Sequence, residues 1–285
     1  MQSKVKGIVA VVGGGRMGAG IAQVFSTIGY DVHVVESSDE TATGALERIR
    51  SGLQRALEHG KEESDLEPVT ERIRFITNIA DLPNDADLVV EAVSEDMNTK
   101  REVLRAIEDA VSPSCVVTTN TSSFSINRLA DVFRRPQRFA GMHFFNPVPS
   151  SLLVEVVVSE QTMPEIVEKI TGWVAELGKS SITIRDSPGF ATSRLGVLLG
   201  LEAIRMLEEG VASAEDIDRA MELGYRHPMG PLRLSDLVGL DIRLNIADYL
   251  SETLGDRFSP PELLREMVKI GHIGRKSGQG FYRWN

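Results

Sequence analysis

Short apolar runs alternate with amphipathic segments over the first part of the chain. Gly7 to Val12 is continuously apolar, which is typical of a strand that is covered on both faces. A helical pattern follows from about Arg16 to Ile28, and Gly29 closes it. The run Asp31–Val35 (DVHVV) then predicts a second strand.

A long helix and a charged segment come next. Helical periodicity predicts a helix over Thr41–His59 that ends at Gly60. In Lys61–Glu67 five of the seven residues carry charge, and this composition favours a solvated connection.

Further strands and helices alternate up to about residue 186. The predicted strands are Ile73–Ile76, Leu88–Glu91, Val116–Thr118, Phe139–Met142, Leu153–Val158 and Ile182–Ile184. The predicted helices between them are Thr99–Val111, Ser125–Asp131 and Pro164–Leu177. Because strands and helices alternate, we expect an α/β fold with a mostly parallel, Rossmann-type doubly wound sheet.

The character of the sequence changes after the segment Asp186–Gly189 (DSPG). From Phe190 onward the periodicity is mainly helical, and Pro-Gly is a natural boundary. We therefore predict a dinucleotide-binding domain over residues 1–186 and a smaller all-α domain over residues 187–285.

Composition and charge exclude several classes of protein. With 42% hydrophobic and 25% charged residues the chain is globular, and its net charge of −10 disfavours nucleic acid and anionic membranes as partners. No apolar run is long enough to span a membrane, and the basic-then-apolar start runs directly into glycines instead of a signal-peptide cleavage site. The single cysteine, Cys115, excludes an intramolecular disulfide, and no Cys/His spacing indicates a metal site. These features predict a cytoplasmic enzyme or binding protein.

A glycine motif joins the first strand to the first helix. The residues Gly13-Gly14-Gly15-Arg16-Met17-Gly18 satisfy G-x-G-x-x-G in the strand–turn–helix context that the motif requires. In such a loop Gly13 permits the tight turn, Gly15 lets backbone approach a pyrophosphate, and Gly18 lets the helix pack on the strand. Backbone N–H groups at the start of the helix, including those of Arg16 and Met17, then face the phosphates.

Glu36 indicates which dinucleotide binds. It ends the second strand, 23 residues after Gly13, where a carboxylate accepts hydrogen bonds from the adenine ribose and repels a 2′-phosphate. The next four residues, Ser37–Glu40, contain no Arg or Lys. We therefore predict NAD as the cofactor, in preference to NADP.

His143 and Glu155 are candidates for proton transfer. His143 leaves the end of a predicted strand, and strand carboxyl ends are where open α/β sheets bind ligands. Glu155 lies inside the apolar run LLVEVVV, where a buried carboxylate is costly unless it is paired. Glu155 could hydrogen-bond the imidazole and stabilise imidazolium; a structural histidine with an unrelated glutamate is the alternative.

At this point the sequence resembles the L-3-hydroxyacyl-CoA dehydrogenases, including the bacterial 3-hydroxybutyryl-CoA dehydrogenases. The resemblance rests above all on HFFNP (143–147) with NTSS (120–123) upstream of it. Further matches extend through the whole chain: GGGRMGAGIA (13–22), EAVSEDMNTK (91–100), DSPGF (186–190), EEGVASAEDID (208–218), HPMGPLRLSDLVGLD (227–241) and GRKSGQGFY (274–282).

The resemblance implies roles for individual residues. His143 matches the catalytic base and Glu155 its carboxylate partner, while Ser122 matches the serine beside the nicotinamide that hydrogen-bonds the reacting oxygen. The family contacts its cofactor at positions that match Glu95, Lys100, Asn146 and Lys276. From the residues alone, Glu95 and Lys100 could instead be an ordinary pair of charged residues at the start of a helix, and Lys276 could be a solvated surface charge.

The chain departs from the family pattern at two places near the expected site. Ser193 stands where the family usually has an asparagine next to the reacting carbonyl; serine still donates a hydrogen bond but is shorter. VPSSLL (148–153) replaces VPVMKL and removes one positive charge. Contacts to the CoA phosphates are expected from the helix around Ser51–Lys61.

The resemblance therefore implies NAD-dependent interconversion of an L-3-hydroxyacyl-CoA and its 3-ketoacyl-CoA. The family dimerises through its helical region, and the apolar stretches Leu195–Leu201 and Leu232–Leu240 are consistent with such an interface, although burial in the core of the domain explains them equally well. We also expect a stand-alone enzyme, since the chain ends just after FYRW. Two alternatives stay open: a dehydrogenase of a CoA-free hydroxy acid, such as the sugar acid gulonate, and a non-catalytic NAD-binding protein.

Overall fold

The computed structural model describes residues 5–58 and 66–284, which form two compact units. The first unit ends at Asp186 and the second begins at Ser187. The predicted helix end at Gly60 and most of the predicted solvated connection Lys61–Glu67 lie outside the described residues, whereas the last two residues of that connection begin a short helix.

The first unit is an eight-stranded sheet with helices. Its strands are β1 (Ile8–Val12), β2 (Asp31–Val35), β3 (Ile73–Ile76), β4 (Leu88–Glu91), β5 (Val116–Thr119), β6 (Phe139–Phe144), β7 (Leu153–Val158) and β8 (Ser180–Arg185). Its helices are α1 (Arg16–Thr27), α2 (Asp39–Glu58), α3 (Leu66–Thr70), α4 (Met97–Ala110), α5 (Ile126–Ala130) and α6 (Pro164–Glu176), with short 3-10 turns at Ile79–Asp81 and Pro136–Arg138.

The strand order is β3-β2-β1-β4-β5-β6-β7-β8. Strands β1 to β6 are parallel to one another, whereas β7 pairs antiparallel with β6 and parallel with β8. Every residue of β4, β5 and β6 is buried, as expected for strands covered on both faces. The predicted Rossmann-type α/β fold is confirmed.

The observed elements differ from the predicted ones mainly at their ends. Strand β6 continues through Phe144, so His143 lies within the strand, one residue before its end, instead of leaving it. Helix α4 begins two residues early because the Asp96 carboxylate accepts a hydrogen bond from the Thr99 N–H at 2.8 Å and caps the first turn. The sequence does not predict helix α3, because five residues are too few to show the helical spacing of apolar positions.

The second unit is helical, as predicted. It contains α7 (Thr192–Glu208), α8 (Ala214–Gly224), α9 (Pro231–Val238), α10 (Leu240–Leu254) and α11 (Glu262–Lys269), with 3-10 turns at Asp256–Phe258 and Arg275–Ser277. No helix within the described part of the chain is both long and apolar enough to cross a membrane.

Two buried carboxylates organise the second unit. Asp218 accepts hydrogen bonds from the N–H groups of Leu232 and Arg233, which are otherwise uncapped at the start of α9. Asp236 accepts from the N–H groups of Phe281 and Tyr282 and from Nε1 of Trp284, at 2.9–3.0 Å. The segment that ends at Trp284 is therefore anchored on α9.

We expect Asp236→Ala to destabilise the second unit strongly, by on the order of 3 kcal/mol, because three donors lose a charged acceptor in a buried place. Urea unfolding followed by Trp284 fluorescence in a Trp173→Phe background measures this change. Asp248→Ala, which breaks only the exposed pair with Arg265, is the matched control and should cost under about 1 kcal/mol. Equal losses in the two variants would contradict the anchoring role.

Candidate active site

The glycine loop after β1 has the geometry of a dinucleotide site. Gly13 has φ +98°, and a Cβ there would lie 2.8 Å from the carbonyl oxygen of Ala92, the residue after β4. A Cβ on Gly18 would lie 1.8 Å from the Gly13 carbonyl oxygen, so helix and loop touch closely only because Gly18 has no side chain. The loop thus lies between β1 and β4, where the strand order reverses, which is the ligand crevice of doubly wound sheets.

The start of α1 is open to a ligand. A Cβ on Gly15 would meet no atom within 4 Å, and no side chain caps the first turn of the helix. Backbone donors and the positive end of the helix dipole favour a phosphate there. The residues at this position therefore fit the pyrophosphate of a dinucleotide.

Glu36 lies against the same loop. Its carboxylate accepts a hydrogen bond from the Gly14 N–H, and Arg48 of α2 donates to the Gly14 carbonyl oxygen at 3.2 Å. Glu36 is only partly buried and follows β2 directly. A carboxylate is thus held beside the loop, where the sequence motif places the adenine ribose.

His143 and Glu155 face each other across the antiparallel pair. They are direct partners in the register of β6 and β7, and Nδ1 of His143 lies 2.8 Å from Oε2 of Glu155. The Glu155 side chain is fully buried and that of His143 is 9% exposed. A carboxylate at Nδ1 favours the tautomer with the proton on Nδ1, in which Nε2 is the basic nitrogen. The phenyl ring of Phe145 lies 4.6 Å from the imidazole, centroid to centroid.

The NTSS segment lies next to this pair. The Asn120 side-chain oxygen accepts a hydrogen bond from the N–H of Phe144, the neighbour of His143, at 2.9 Å. The Asn120 N–H donates in turn to the Glu91 carbonyl oxygen. Ser122 is exposed at the same carboxyl edge of the sheet. Asn120 therefore ties the ends of β4, β5 and β6 together.

Glu95 holds the NTSS segment in place. Its Oε1 accepts hydrogen bonds from the hydroxyls of Thr121 and Ser123 and from the N–H of Ser122, at 2.5 to 3.1 Å. Burial alone would raise the pKa of Glu95, but Lys100 and the two hydroxyl donors outweigh it, so the pKa lies below its ordinary value. Glu95 is thus a carboxylate at neutral pH and a hydrogen-bond acceptor for the loop.

Lys100 is buried between two carboxylates. Its side chain is 1% exposed, and Nζ lies 2.8 Å from Oε1 of Glu91 and 3.1 Å from Oε2 of Glu95. Glu91, at the end of β4, also accepts from the Thr119 hydroxyl and the Val93 N–H. Lys100 therefore connects the sheet to Glu95, and a direct contact of Lys100 with a ligand would require its side chain to move.

Glu91 was missed as a site residue. It ends the apolar run LVVE, which is the same signal that marked Glu155: a carboxylate in a strand that is otherwise buried and apolar. Applied to both strands, that criterion would have found both glutamates.

The turn after β6 packs against α1. Lys179, just before β8, donates from Nζ to the carbonyl oxygens of Val148 and Ser151 at 2.7 and 2.6 Å, and burial lowers its pKa. A Cβ on Gly20 of α1 would lie 2.9 Å from Cβ of Val148. Asn146 is exposed at the start of this turn, which thus lies alongside the helix that opens the dinucleotide loop.

The two remaining predicted residues belong to the second unit. Ser193 is the second residue of α7 and is partly exposed. Lys276 lies in the turn Arg275–Ser277, and its Nζ donates to Oδ2 of Asp241 at 2.6 Å. Within the described residues no cluster of three or more His, Cys, Asp or Glu side chains could hold a metal ion.

Comparison with known proteins identifies the family. The model of the 3-hydroxyacyl-CoA dehydrogenase NAD-binding domain matches residues 8–187, and that of the C-terminal domain of the same enzymes matches residues 189–284. The chain is 42% identical over 282 residues to the 3-hydroxybutyryl-CoA dehydrogenase of Mycobacterium tuberculosis, covering 97% of this chain and 98% of the relative. It is 37% identical over 284 residues to the mitochondrial hydroxyacyl-coenzyme A dehydrogenase of Sus scrofa, covering 97% and 90%.

The crystal structure of the (S)-3-hydroxybutyryl-CoA dehydrogenase of Ralstonia eutropha superimposes with a TM-score of 0.92 at 39% identity, over 98% of this chain and 99% of that one. Both the sequence match and the fold therefore extend over nearly the entire chain. The chain belongs to the NAD-dependent 3-hydroxyacyl-CoA dehydrogenase family.

Proposed function

We propose that the protein interconverts an L-3-hydroxyacyl-CoA, with 3-hydroxybutyryl-CoA as the expected substrate, and its 3-ketoacyl-CoA. The observation that carries this proposal is the buried His143–Glu155 pair, 2.8 Å apart, at the carboxyl edge of a dinucleotide-binding sheet. The names of the similar enzymes support the substrate class.

In the oxidation direction neutral His143 removes the proton of the C3 hydroxyl through Nε2. Glu155 stabilises the imidazolium that forms and keeps the ring in one tautomer and orientation. When bound, NAD⁺ supplies the acceptor for the hydride that leaves C3. In the reverse direction the imidazolium of His143 protonates the ketone oxygen.

Ser122 polarises the reacting oxygen in this mechanism, and the family resemblance implies Ser193, or a water in its place, as a second hydrogen-bond donor. Ser122 is held in one position because Glu95 accepts hydrogen bonds from the Ser122 N–H and from the neighbouring hydroxyls. Lys100 in turn forms an ion pair with Glu95. These two charged residues therefore act on the chemistry through the loop that they hold.

The glycine loop and Glu36 are the residues that would hold the dinucleotide. Backbone N–H groups of Gly15–Gly18 would bind its pyrophosphate, and Glu36 would accept hydrogen bonds from the adenine ribose. The family resemblance implies Asn146 and Lys276 as further cofactor-binding residues.

CoA phosphates are proposed to bind on α2. A cleft of about 700 Å³ lies beside this helix, and it is lined by Arg50, Ser51, Gln54 and Arg55 of α2 together with Glu67 and Thr70 of α3. Two guanidinium groups in one cleft suit phosphate recognition, although Glu67 contributes one opposing charge.

Replacing His143 tests the mechanism. We expect His143→Gln to lower kcat for acetoacetyl-CoA reduction by about 10²–10⁴-fold, the usual contribution of a general acid, with NADH affinity unchanged. Steady-state kinetics and a fluorescence titration with NADH measure the two quantities. His272→Gln, at an exposed position, is the control. Near-normal turnover of His143→Gln, or reduction of a CoA-free acid alone, would contradict the proposal.

Cofactor preference tests the role of Glu36. We expect the wild type to prefer NADH, and Glu36→Gln to reduce the NADH/NADPH ratio of kcat/KM by about tenfold, because the neutral amide no longer repels a 2′-phosphate. The amide oxygen can still accept from the Gly14 N–H. Asp39→Asn, at an exposed carboxylate that begins α2, should leave the ratio unchanged. Comparable kcat/KM of the wild type with both cofactors would refute this role.

We also propose that the protein is a homodimer, through the second unit. Leu195 and Leu198 on α7, and Leu234 and Val238 on α9, are exposed at helical spacing, and such apolar stripes indicate an interface. Light scattering should give a dimer for the wild type and a monomer for the double variant Leu195→Asp, Leu198→Asp. Ile270→Asp, which changes an exposed residue after α11, should remain dimeric. A monomeric wild type would exclude the dimer.

A further inference from the structure

Lys179 is a buried cation of the first unit that the proposed mechanism does not use. It directly precedes β8, whose first residue, Ser180, pairs with Leu153 at the start of β7. Because β7 runs antiparallel to β6, the start of β7 lies at the edge of the sheet where β6 ends. Lys179 therefore lies at the same edge as His143, and only 9% of the lysine is exposed.

The backbone of Lys179 is fixed by the end of α6. Gly178 has φ +67°, and its N–H donates to the Ala175 carbonyl oxygen at 2.9 Å. The Lys179 N–H donates to the Val174 carbonyl oxygen at 3.1 Å. These two hydrogen bonds form a Schellman motif, which commonly ends a helix at a glycine. The point from which the Lys179 side chain extends is thus set by the helix.

The ammonium group of Lys179 holds the turn 147–151 that follows β6. Nζ donates to the carbonyl oxygens of Val148 and Ser151 at 2.7 and 2.6 Å. Among residues 5–58 and 66–284 no carboxylate forms an ion pair with this lysine, so the carbonyl groups of the turn satisfy its charge. Hydrogen bonds from a charged donor are stronger than those between neutral groups, and a buried charge without them is costly. The ammonium group and the turn therefore hold each other in place.

The other side of this turn lies against α1. A Cβ on Gly20 would lie 2.9 Å from Cβ of Val148, so the helix and the turn are in close contact. Helix α1 begins directly after the glycine loop, and Asn146 directly precedes the turn. The turn thus connects the helix that opens the dinucleotide loop with the segment that follows His143, and Lys179 supports it from behind.

We infer that Lys179 is a positioning residue of the reaction, which fixes Asn146 relative to α1 and so aligns the nicotinamide with His143. The inference rests on the proposed function, in which His143 transfers the proton and Asn146 contacts the cofactor. One residue separates Asn146 from Val148, so a turn without its support would carry Asn146 with it. A displacement of about 1 Å can lower the rate of a reaction by about 10²-fold.

The test removes both hydrogen bonds and counts the active sites in the same sample. Lys179→Met keeps a flexible, unbranched side chain but has no donor. We expect it to lower kcat for acetoacetyl-CoA reduction, per NADH-binding site, by about 10- to 100-fold. KM for acetoacetyl-CoA should change by less than about threefold, because the residues proposed to bind CoA are not altered. Steady-state kinetics gives kcat and KM, and a fluorescence titration with NADH gives the number of sites.

Two variants separate positioning from a general loss of structure. Lys179→Arg keeps a charged donor, so we expect it to recover part of kcat. Lys169→Met removes an exposed lysine of the same helix, α6, and should leave kcat unchanged.

A second pair of variants reaches the turn from the side of α1 and serves also if Lys179→Met does not fold. Val148→Ala loosens the contact with α1, and we expect it to lower kcat per NADH-binding site by about three- to tenfold. Val32→Ala removes the same atoms from β2 in the same hydrophobic core. It should leave kcat per site unchanged.

Other outcomes overturn the inference. A Lys179→Met enzyme that keeps the wild-type kcat per site and loses only binding sites would show a structural role alone. Equal values of kcat per site for Val148→Ala and Val32→Ala would exclude the role of the turn. Both results leave the proposed function intact, whereas failure of the wild type to reduce acetoacetyl-CoA would overturn the proposed function and this inference together.

Discussion

The antiparallel pairing of β6 with β7 is the constraint on which the site depends. Glu155 is the third of the six residues of β7, so in a parallel strand it would lie in the half that is further from the ligand crevice. Because β7 runs back from the crevice, Glu155 instead lies directly opposite His143, near the end of β6. A register shift by one residue would turn the carboxylate to the opposite face of the sheet. Such a shift is opposed because the fully buried Glu155 carboxylate would lose His143 as its partner.

Buried charges next to the end of β4 are also paired with one another, and here more residues take part than in the His143–Glu155 pair. Glu91, Lys100 and Glu95 form a chain of charges in which Glu91 and Lys100 are almost fully buried. Each additional hydrogen bond in this chain, from Thr119, Val93 or the NTSS segment, satisfies an oxygen that would otherwise be buried alone. The NTSS segment, part of which is exposed, is thereby attached to the sheet through charged residues.

Sequence patterns predicted most strands because continuous apolar runs mark buried strands, and glycine spacing identified the dinucleotide loop. The pairing of His143 with Glu155 could be anticipated, since a carboxylate in an apolar strand needs a partner. The reversal of strand direction at β7 could not, because a run of apolar residues carries no information on direction. The burial of Lys179 could not be predicted either: an isolated basic residue is usually solvated, and this one is buried because distant carbonyl groups accept its hydrogen bonds.

The single cysteine has a practical consequence for following the chain's motions. Cys115 immediately precedes β5, has no exposed surface, and burial raises the pKa of its thiol to about 12. In the folded first unit this thiol is therefore almost entirely protonated at neutral pH, and very little of the reactive thiolate is present. Alkylation of this thiol would proceed only through openings of the central sheet, and the second unit contributes no signal of its own because it contains no cysteine. The rate at which Cys115 is labelled therefore measures the local opening of the first unit and is insensitive to opening of the second unit.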